Sequence, residues 1–95
     1  ILFGSGGLLA EQLHDIQVRI LPVSDSELMR MIMQTKAFEA IKKLGIDTEK
    51  IRALLRAMAK LMLKEKSVVE IDINPLIAGK RGIFAADIRV ITDGA

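Results

Sequence analysis

The chain has 95 residues, 51% of them hydrophobic, with 14 basic against 12 acidic side chains and a formal net charge of +2. That length holds one domain or part of one, and the apolar content is ample for a core, which excludes a disordered chain. No cysteine is present and His14 is the only histidine, which excludes disulfides, thiolate chemistry and a multi-histidine zinc site within one chain.

Residues 1–7, ILFGSGG, read as a short apolar start and a Gly-rich turn. Leu8–Leu13 and Ile16–Leu21 read as two strands joined at His14-Asp15. A two-residue hairpin there sets Leu13 opposite Ile16, Glu11 opposite Val18 and Leu9 opposite Ile20. That face is apolar except for Glu11, so either Glu11 has a specific partner or the register is shifted by one residue.

Pro22 ends the strand. Ser24 and Glu27 form a capping box, and Val23 with Leu28 is spaced as a hydrophobic staple. A helix is expected from Asp25 towards Thr35, burying Leu28, Met31, Ile32 and Thr35. Ala37–Leu44 reads as a second short helix or a bent continuation, stopped by Gly45. Asp47 or Thr48 caps a third helix whose apolar stripe is Ile51, Leu54, Leu55, Met58, Leu61 and Met62. Its methionines read as flexible core filler.

Residues 67–74 and 83–91 form a last strand pair around the turn Gly79-Lys80-Arg81-Gly82. A hairpin centred on that turn pairs positions whose numbers add to ~161. Ile71 then faces Val90, Ile73 faces Ile88 and Ile77 faces Phe84, a wholly apolar face. On the other face Asp72 opposes Arg89 and Asn74 opposes Asp87. The fold class expected is α+β: one antiparallel sheet of two strand pairs, covered on one face by helices.

The polar face of Glu70-Ile71-Asp72-Ile73-Asn74-Pro75 has two readings. One is a solvated face with an Asp72–Arg89 cross-strand ion pair worth ~0.2–1 kcal/mol, Asn74 serving the turn before Pro75. The other is a divalent-cation site. Directly opposed residues have β-carbons ~4.5–5.5 Å apart, so Asn74 and Asp87 can share one ion, with Asp72 a diagonal neighbour. Hard cations such as Mg²⁺ take oxygen ligands from one or two carboxylates and complete the shell with phosphates. β-Propensity disfavours Asn and Asp inside a strand pair, which favours the cation reading.

Three segments carry a family resemblance: FGSGGLLAEQLHDIQVRILPV, the helix opening near Glu27-Leu28-Met29, and VVEIDINPLIAGKRGIFAADIRV. In order and spacing they resemble the C-terminal part of the ATP-grasp domain of ADP-forming acyl-CoA synthetases of the acetate–CoA ligase type. The INPL string is also similar to the β-subunit of succinyl-CoA ligases. The resemblance covers residues 2–91 and implies the C-terminal lobe of an ATP-grasp fold, with residues 1–95 a single partial domain. It implies an acid–thiol ligase that makes ATP, free acid and CoA from acyl-CoA, ADP and phosphate, through an acyl phosphate and a phosphohistidine. The implied cofactors are Mg²⁺ and ATP/ADP. Asn74 and Asp87 match the family's Mg²⁺-binding Asn and Asp, and Asp72 is the next candidate ligand. Gly6, Gly7, Glu11 and Arg19 are the implied nucleotide-contacting positions. The glycines serve either phosphate approach or a tight turn, and Arg19 either a phosphate or a carboxylate. His14 is not assigned as the phosphohistidine.

Neither the preceding lobe nor a CoA-binding domain is in the sequence, and no GxxxxGK[ST] loop is present. The piece is therefore expected to be inactive alone and to need the remaining ATP-grasp lobe and CoA-binding domains or subunit, in an oligomeric, cytoplasmic enzyme. The Ile start reads as a fragment or a mature piece. The competing reading is a noncatalytic ATP-grasp-like regulatory module attached to a protein acetyltransferase. Nucleic-acid binding is disfavoured, because the basic residues are dispersed and the only aromatics are Phe3, Phe38 and Phe84. No apolar run reaches the ~18–20 residues of a membrane span.

Overall fold

The computed structural model describes residues 1–5, 15–73, 75–79 and 81–93. Its elements run β1 (Leu2–Gly4), β2 (Ile16–Val18), α1 (Asp25–Met33), α2 (Ala37–Lys43), α3 (Thr48–Lys64), β3 (Val68–Ile73), β4 (Leu76–Gly79), β5 (Gly82–Ala85) and β6 (Ile88–Thr92). The expected strands-helices-strands order and α+β class hold.

The helical layer forms where its local chemistry directs it. The Ser24 hydroxyl accepts the Glu27 N–H at 3.2 Å and starts α1. Leu28, Met31 and Ile32 then fall on one face and are 1%, 0% and 0% exposed. Thr35 is buried just beyond the helix, its hydroxyl donating to the Ile32 carbonyl at 2.7 Å. Helix α2 ends in a Schellman motif: Gly45 N–H donates to Lys42 O and Ile46 N–H to Ile41 O, both at 3.1 Å. Gly45 sits at φ +68°, a conformation other residues adopt at a cost, and Ile41 and Ile46 close the motif inside the core. Asp47 caps α3 by accepting the Glu49 N–H at 3.0 Å.

Helix α3 buries Ile51, Leu55 and Ala59, with Leu54, Met58 and Met62 half-buried. Leu61, expected on that stripe, is exposed; Ala59 lies inside it instead. The stripe is narrower than the spacing predicts because only one side of the helix meets the rest of the core. Arg56 donates to Asp25 at 2.6 Å, tying α3 to the start of α1 and holding the Asp25 carboxyl below its usual range.

The first strand pair differs from expectation. Ile16–Val18 pairs antiparallel with Leu2–Gly4, in the register Leu2 to Val18, Phe3 to Gln17 and Gly4 to Ile16. The apolar start is thus itself a strand, and the ladder runs one bond further through Arg19 N–H to Ile1 O at 2.9 Å. The proposed partner strand Leu8–Leu13, with Glu11 and His14, lies outside the described residues. Phe3 packs on the core, whereas Leu2, Ile16 and Val18 stay exposed on the opposite face.

The C-terminal hairpin keeps its predicted register. Ile71 pairs with Val90, Asp72 with Arg89, Ile73 with Ile88 and Ile77 with Phe84. The single continuous pair is divided, however, so the described residues form three two-stranded antiparallel ladders. Pro75 is the physical reason: it has no N–H to give the ladder. Its carbonyl still accepts the Ala86 N–H at 3.0 Å, which carries the register across the interruption. A bulge lies between Val68 and Glu70, and none at the turn glycines, where Gly79 pairs with Gly82.

Cover on this hairpin is uneven. Ala78 and Ile83 pack on the helical core and Ile71 and Ile73 are half-buried. Phe84 is 60% and Ile88 59% exposed. No described helix is long and apolar enough to cross a membrane.

A candidate nucleotide and metal lobe

Strand β3 presents its acids as alternation requires, with Glu70 and Asp72 exposed and Ile71 and Ile73 turned towards the helices. Asp87 is exposed in the short link between β5 and β6. The Asp72–Arg89 ion pair does not form, although the two residues are direct ladder partners. Exposed pairs of this kind gain only about 0–1 kcal/mol, against the entropy of fixing two side chains. Both carboxylates therefore stand open to solvent. Among the described residues no three His, Cys, Asp or Glu side chains cluster to hold a metal. Asn74, Gly6, Gly7 and Glu11 lie outside the described residues.

A cleft of ≈ 780 Å³ opens between β3, β1 and the apolar stripe of α3. Gly4, Ser5 and Ala37 line it together with Asp72 and Pro75. It brings the end of β1, the start of α2 and the acidic strand onto one volume.

Arg19 has become a strut. Its Nε donates to Glu27 at 3.0 Å, and its terminal nitrogens donate to Gln34 at 2.7 Å, Val18 O at 3.0 Å and Gln17 at 3.3 Å. Four of the five N–H groups of the guanidinium are thereby engaged. Glu27 also pairs with Arg30, so the network ties the end of β2 to α1.

The residue that sequence reasoning passed over is Asp15, placed there as half of a strand-to-strand turn. It is 3% exposed. Its carboxylate accepts the Lys36 N–H at 2.5 Å, the Ala37 N–H at 3.0 Å and the Ser5 hydroxyl. Burial raises its pKa, but those hydrogen bonds and the Lys36 charge outweigh burial and hold the carboxyl below its ordinary value. Its main-chain oxygen accepts the Ser5 N–H at 3.0 Å. At Gly4 a β-carbon would sit 2.1 Å from that same oxygen, so no other residue fits without a backbone shift. One signal was available. Position 36, just ahead of the expected helix, is Lys, whose side chain has no acceptor to cap it.

The described residues thus form antiparallel ladders against a helical layer, with exposed carboxylates on the outer face of β3 and in the link before β6. The chain belongs to the ATP-grasp domain family, whose model matches residues 1–92. It is similar to the ADP-forming acetate–CoA ligase I of Archaeoglobus fulgidus, 33% identical in an alignment of 95 positions that covers 96% of this chain and 14% of that one. It is 28% identical to the β subunit of ADP-forming acetate–CoA ligase I of Pyrococcus furiosus, over 96% of this chain and 41% of the subunit. Among solved structures it matches the apo dinucleotide-forming acetyl-coenzyme A synthetase 1 of Ca. Korarchaeum cryptofilum with a TM-score of 0.85 and 29% identity. The same synthetase, solved with coenzyme A and Mg-AMPPCP, gives 0.81 and 31%, over 96% of this chain and 45% of that one. The chain thus spans less than half the length of these relatives.

Proposed function

We propose that the chain is part of the nucleotide- and Mg²⁺-binding domain of an ADP-forming acyl-CoA ligase. The larger protein would convert acyl-CoA, ADP and phosphate to a carboxylic acid, CoA and ATP. The observation that carries this is the hairpin register, which continues across Pro75: the pairs Ile73–Ile88 and Leu76–Ala85 flank positions 74 and 87. That continuity supports Asn74 and Asp87 as opposed neighbours, with Asp72 on the same strand face as Asn74. The likeness to a synthetase solved with Mg-AMPPCP supports the nucleotide.

The donor set suits Mg²⁺. It offers one or two unpaired carboxylates and an amide oxygen, all hard ligands, and leaves room for phosphate oxygens and water. Bound there, Mg²⁺ supplies neutralisation of charge on the transferring phosphoryl group. The chain's own part is to hold Asp72 on β3 and Asp87 in the short link between β5 and β6. Gly6, Gly7 and Glu11 belong to this proposal as nucleotide-contacting positions. Arg19 belongs to it with the one guanidinium N–H that its network leaves over. The remaining ATP-grasp lobe and CoA-binding domains or subunit are the partners the reading requires, in an oligomer and in the cytoplasm. The regulatory alternative beside an acetyltransferase finds no support in the relatives described.

The test is Mg²⁺ titration of ADP-dependent turnover in the intact protein. Asn74→Ala and Asp87→Ala are each expected to raise the half-maximal Mg²⁺ concentration by about 10-fold or more, a loss of roughly 1.4 kcal/mol of binding. Unchanged metal dependence in both variants would sink the assignment.

A further inference from the structure

We propose that the cleft over α3 is the seat of one further β-strand, supplied by polypeptide of the same protein outside residues 1–95; this rests on the reading above that the chain is part of a larger ligase. The way each element lines the cleft carries the argument. Helix α3 contributes a stripe at helical spacing, with Leu54, Met58 and Met62 among it, and this stripe forms the floor. Strand β1 and its flanks contribute the consecutive residues 1–5, and β3 contributes 69–73. A strand that turns its face to a space lines it with every second residue, whereas one that turns its edge lines it with consecutive ones. Glu70 and Asp72 point their side chains to the outer face, so it is their main chain that borders the cleft. The cleft is thus a gap between two strand edges above an apolar floor. Of the outer partners, β2 reaches it only at Ile16 and β6 contributes no residue.

Both edges are open. Among the described residues β1 pairs with β2 alone, and β3 with β6 alone. The free N–H and C=O groups of an edge strand are a template for another strand. The floor also lacks cover, since Leu54, Met58 and Met62 are only half-buried. At ~30 Å³ each, about 25 waters would fill the ≈ 780 Å³, over aliphatic side chains that offer them no hydrogen bonds. A strand answers both needs at once. Its main chain satisfies the two edges, and every second side chain covers the floor. It would span about 16 Å, roughly five residues at ~3.3 Å each, with aliphatic side chains at alternate positions. Seated there, it joins the β1–β2 and β3–β6 ladders into one sheet. The same protein is the source because this chain covers only 14% of one relative and 45% of another, so most of the family's polypeptide lies outside it. An apolar floor of this kind also suits a permanent contact rather than a transient one.

The experiment uses the intact protein. Amide hydrogen exchange is read residue by residue in β1 and β3. An edge strand protects alternate amides, those donated to its one partner, whereas a strand paired on both sides protects consecutive ones. The amides of residues 2–4 and 70–73 are all expected to exchange at least about 100-fold slower than free peptide. Alternating protection in either strand overturns the proposal. Photo-methionine, close in shape to the natural side chain, then identifies the occupant from Met58 and Met62. Crosslinks to peptides of the same molecule outside residues 1–95 support the proposal. Crosslinks confined to residues 1–95, or joining two copies when isotope-labelled and unlabelled protein are mixed, overturn it. Asn74→Ala and Asp87→Ala, run alongside, separate the two readings. A shifted Mg²⁺ dependence with alternating exchange removes the strand and leaves the nucleotide reading. Consecutive protection with an unchanged Mg²⁺ dependence does the reverse.

Discussion

The helical layer and the C-terminal hairpin are similarly rich in apolar residues, yet they use them differently. In α1 and α3 the apolar stripes meet each other, and Leu28, Met31, Ile32, Ile51 and Leu55 are removed from water. In the hairpin the backbone pairing keeps one register from Glu70 to Gly82, but Ile77, Phe84, Ile88 and Val90 remain exposed. Hydrogen-bonded register and burial are thus separable. The ladder is set by the turn and the strand sequence, whereas cover must come from another layer. The helices are finished by contacts within the chain; the hairpin is finished only in pairing.

Single substitutions can break that contrast or sharpen it. The largest effect belongs to Ile32→Ala, expected to cost about 2–5 kcal/mol in urea unfolding because it empties a fully buried site. The matching change Ile88→Ala, on the exposed hairpin face, is expected to stay within about 0.5 kcal/mol. Equal costs for the two would mean that the hairpin face is covered in the protein as assayed. Next comes Asp15→Asn, expected to cost about 1–3 kcal/mol at pH 7, since it leaves buried donors poorly satisfied. The Asp15 carboxyl is held below its ordinary value in the folded chain. Its contribution is therefore fully present above the unfolded value of about 3.9 and is lost as pH falls below it, through the folded pKa. Urea midpoints of parent and variant should accordingly draw together as pH falls below the unfolded value; a gap that widens on acidification would contradict this origin. The smallest is Ser24→Ala, about 1 kcal/mol for loss of the α1 cap, read from the same denaturation curves.

The order of these effects follows what the sequence could and could not disclose. The α1 cap, the burial of Leu28, Met31, Ile32 and Thr35, the stop at Gly45 and every described pair from Glu70 to Gly82 could be read from spacing alone. Each depends on chemistry within a turn or across a short hairpin. The pairing of Ile16–Val18 with Leu2–Gly4 was not foreseen, because strand pairing between distant segments leaves no local mark; the expected partner Leu8–Leu13 lies outside the described residues. The Arg19 network and the Asp15 anchor were invisible for a related reason. Both join residues that neither helical nor strand periodicity relates. For the site, the Asp72 face was legible by alternation, whereas the absence of its ion pair with Arg89 depends on side-chain entropy and solvation.

The interruption at Pro75 also guards against a wrong answer. A strand that slips by one residue exchanges its two faces, and here that would drive Glu70 and Asp72 against the helices. Because the hairpin is divided, a slip must be accepted twice. The β4–β5 ladder is pinned by the Gly79–Gly82 closure, and the β3–β6 ladder by the cost of burying those acids. Joined by the Ala86-to-Pro75 hydrogen bond, each half rejects the alternative alignment on its own grounds. The chain thereby protects which acids face outward even though most of that sheet face has no cover of its own.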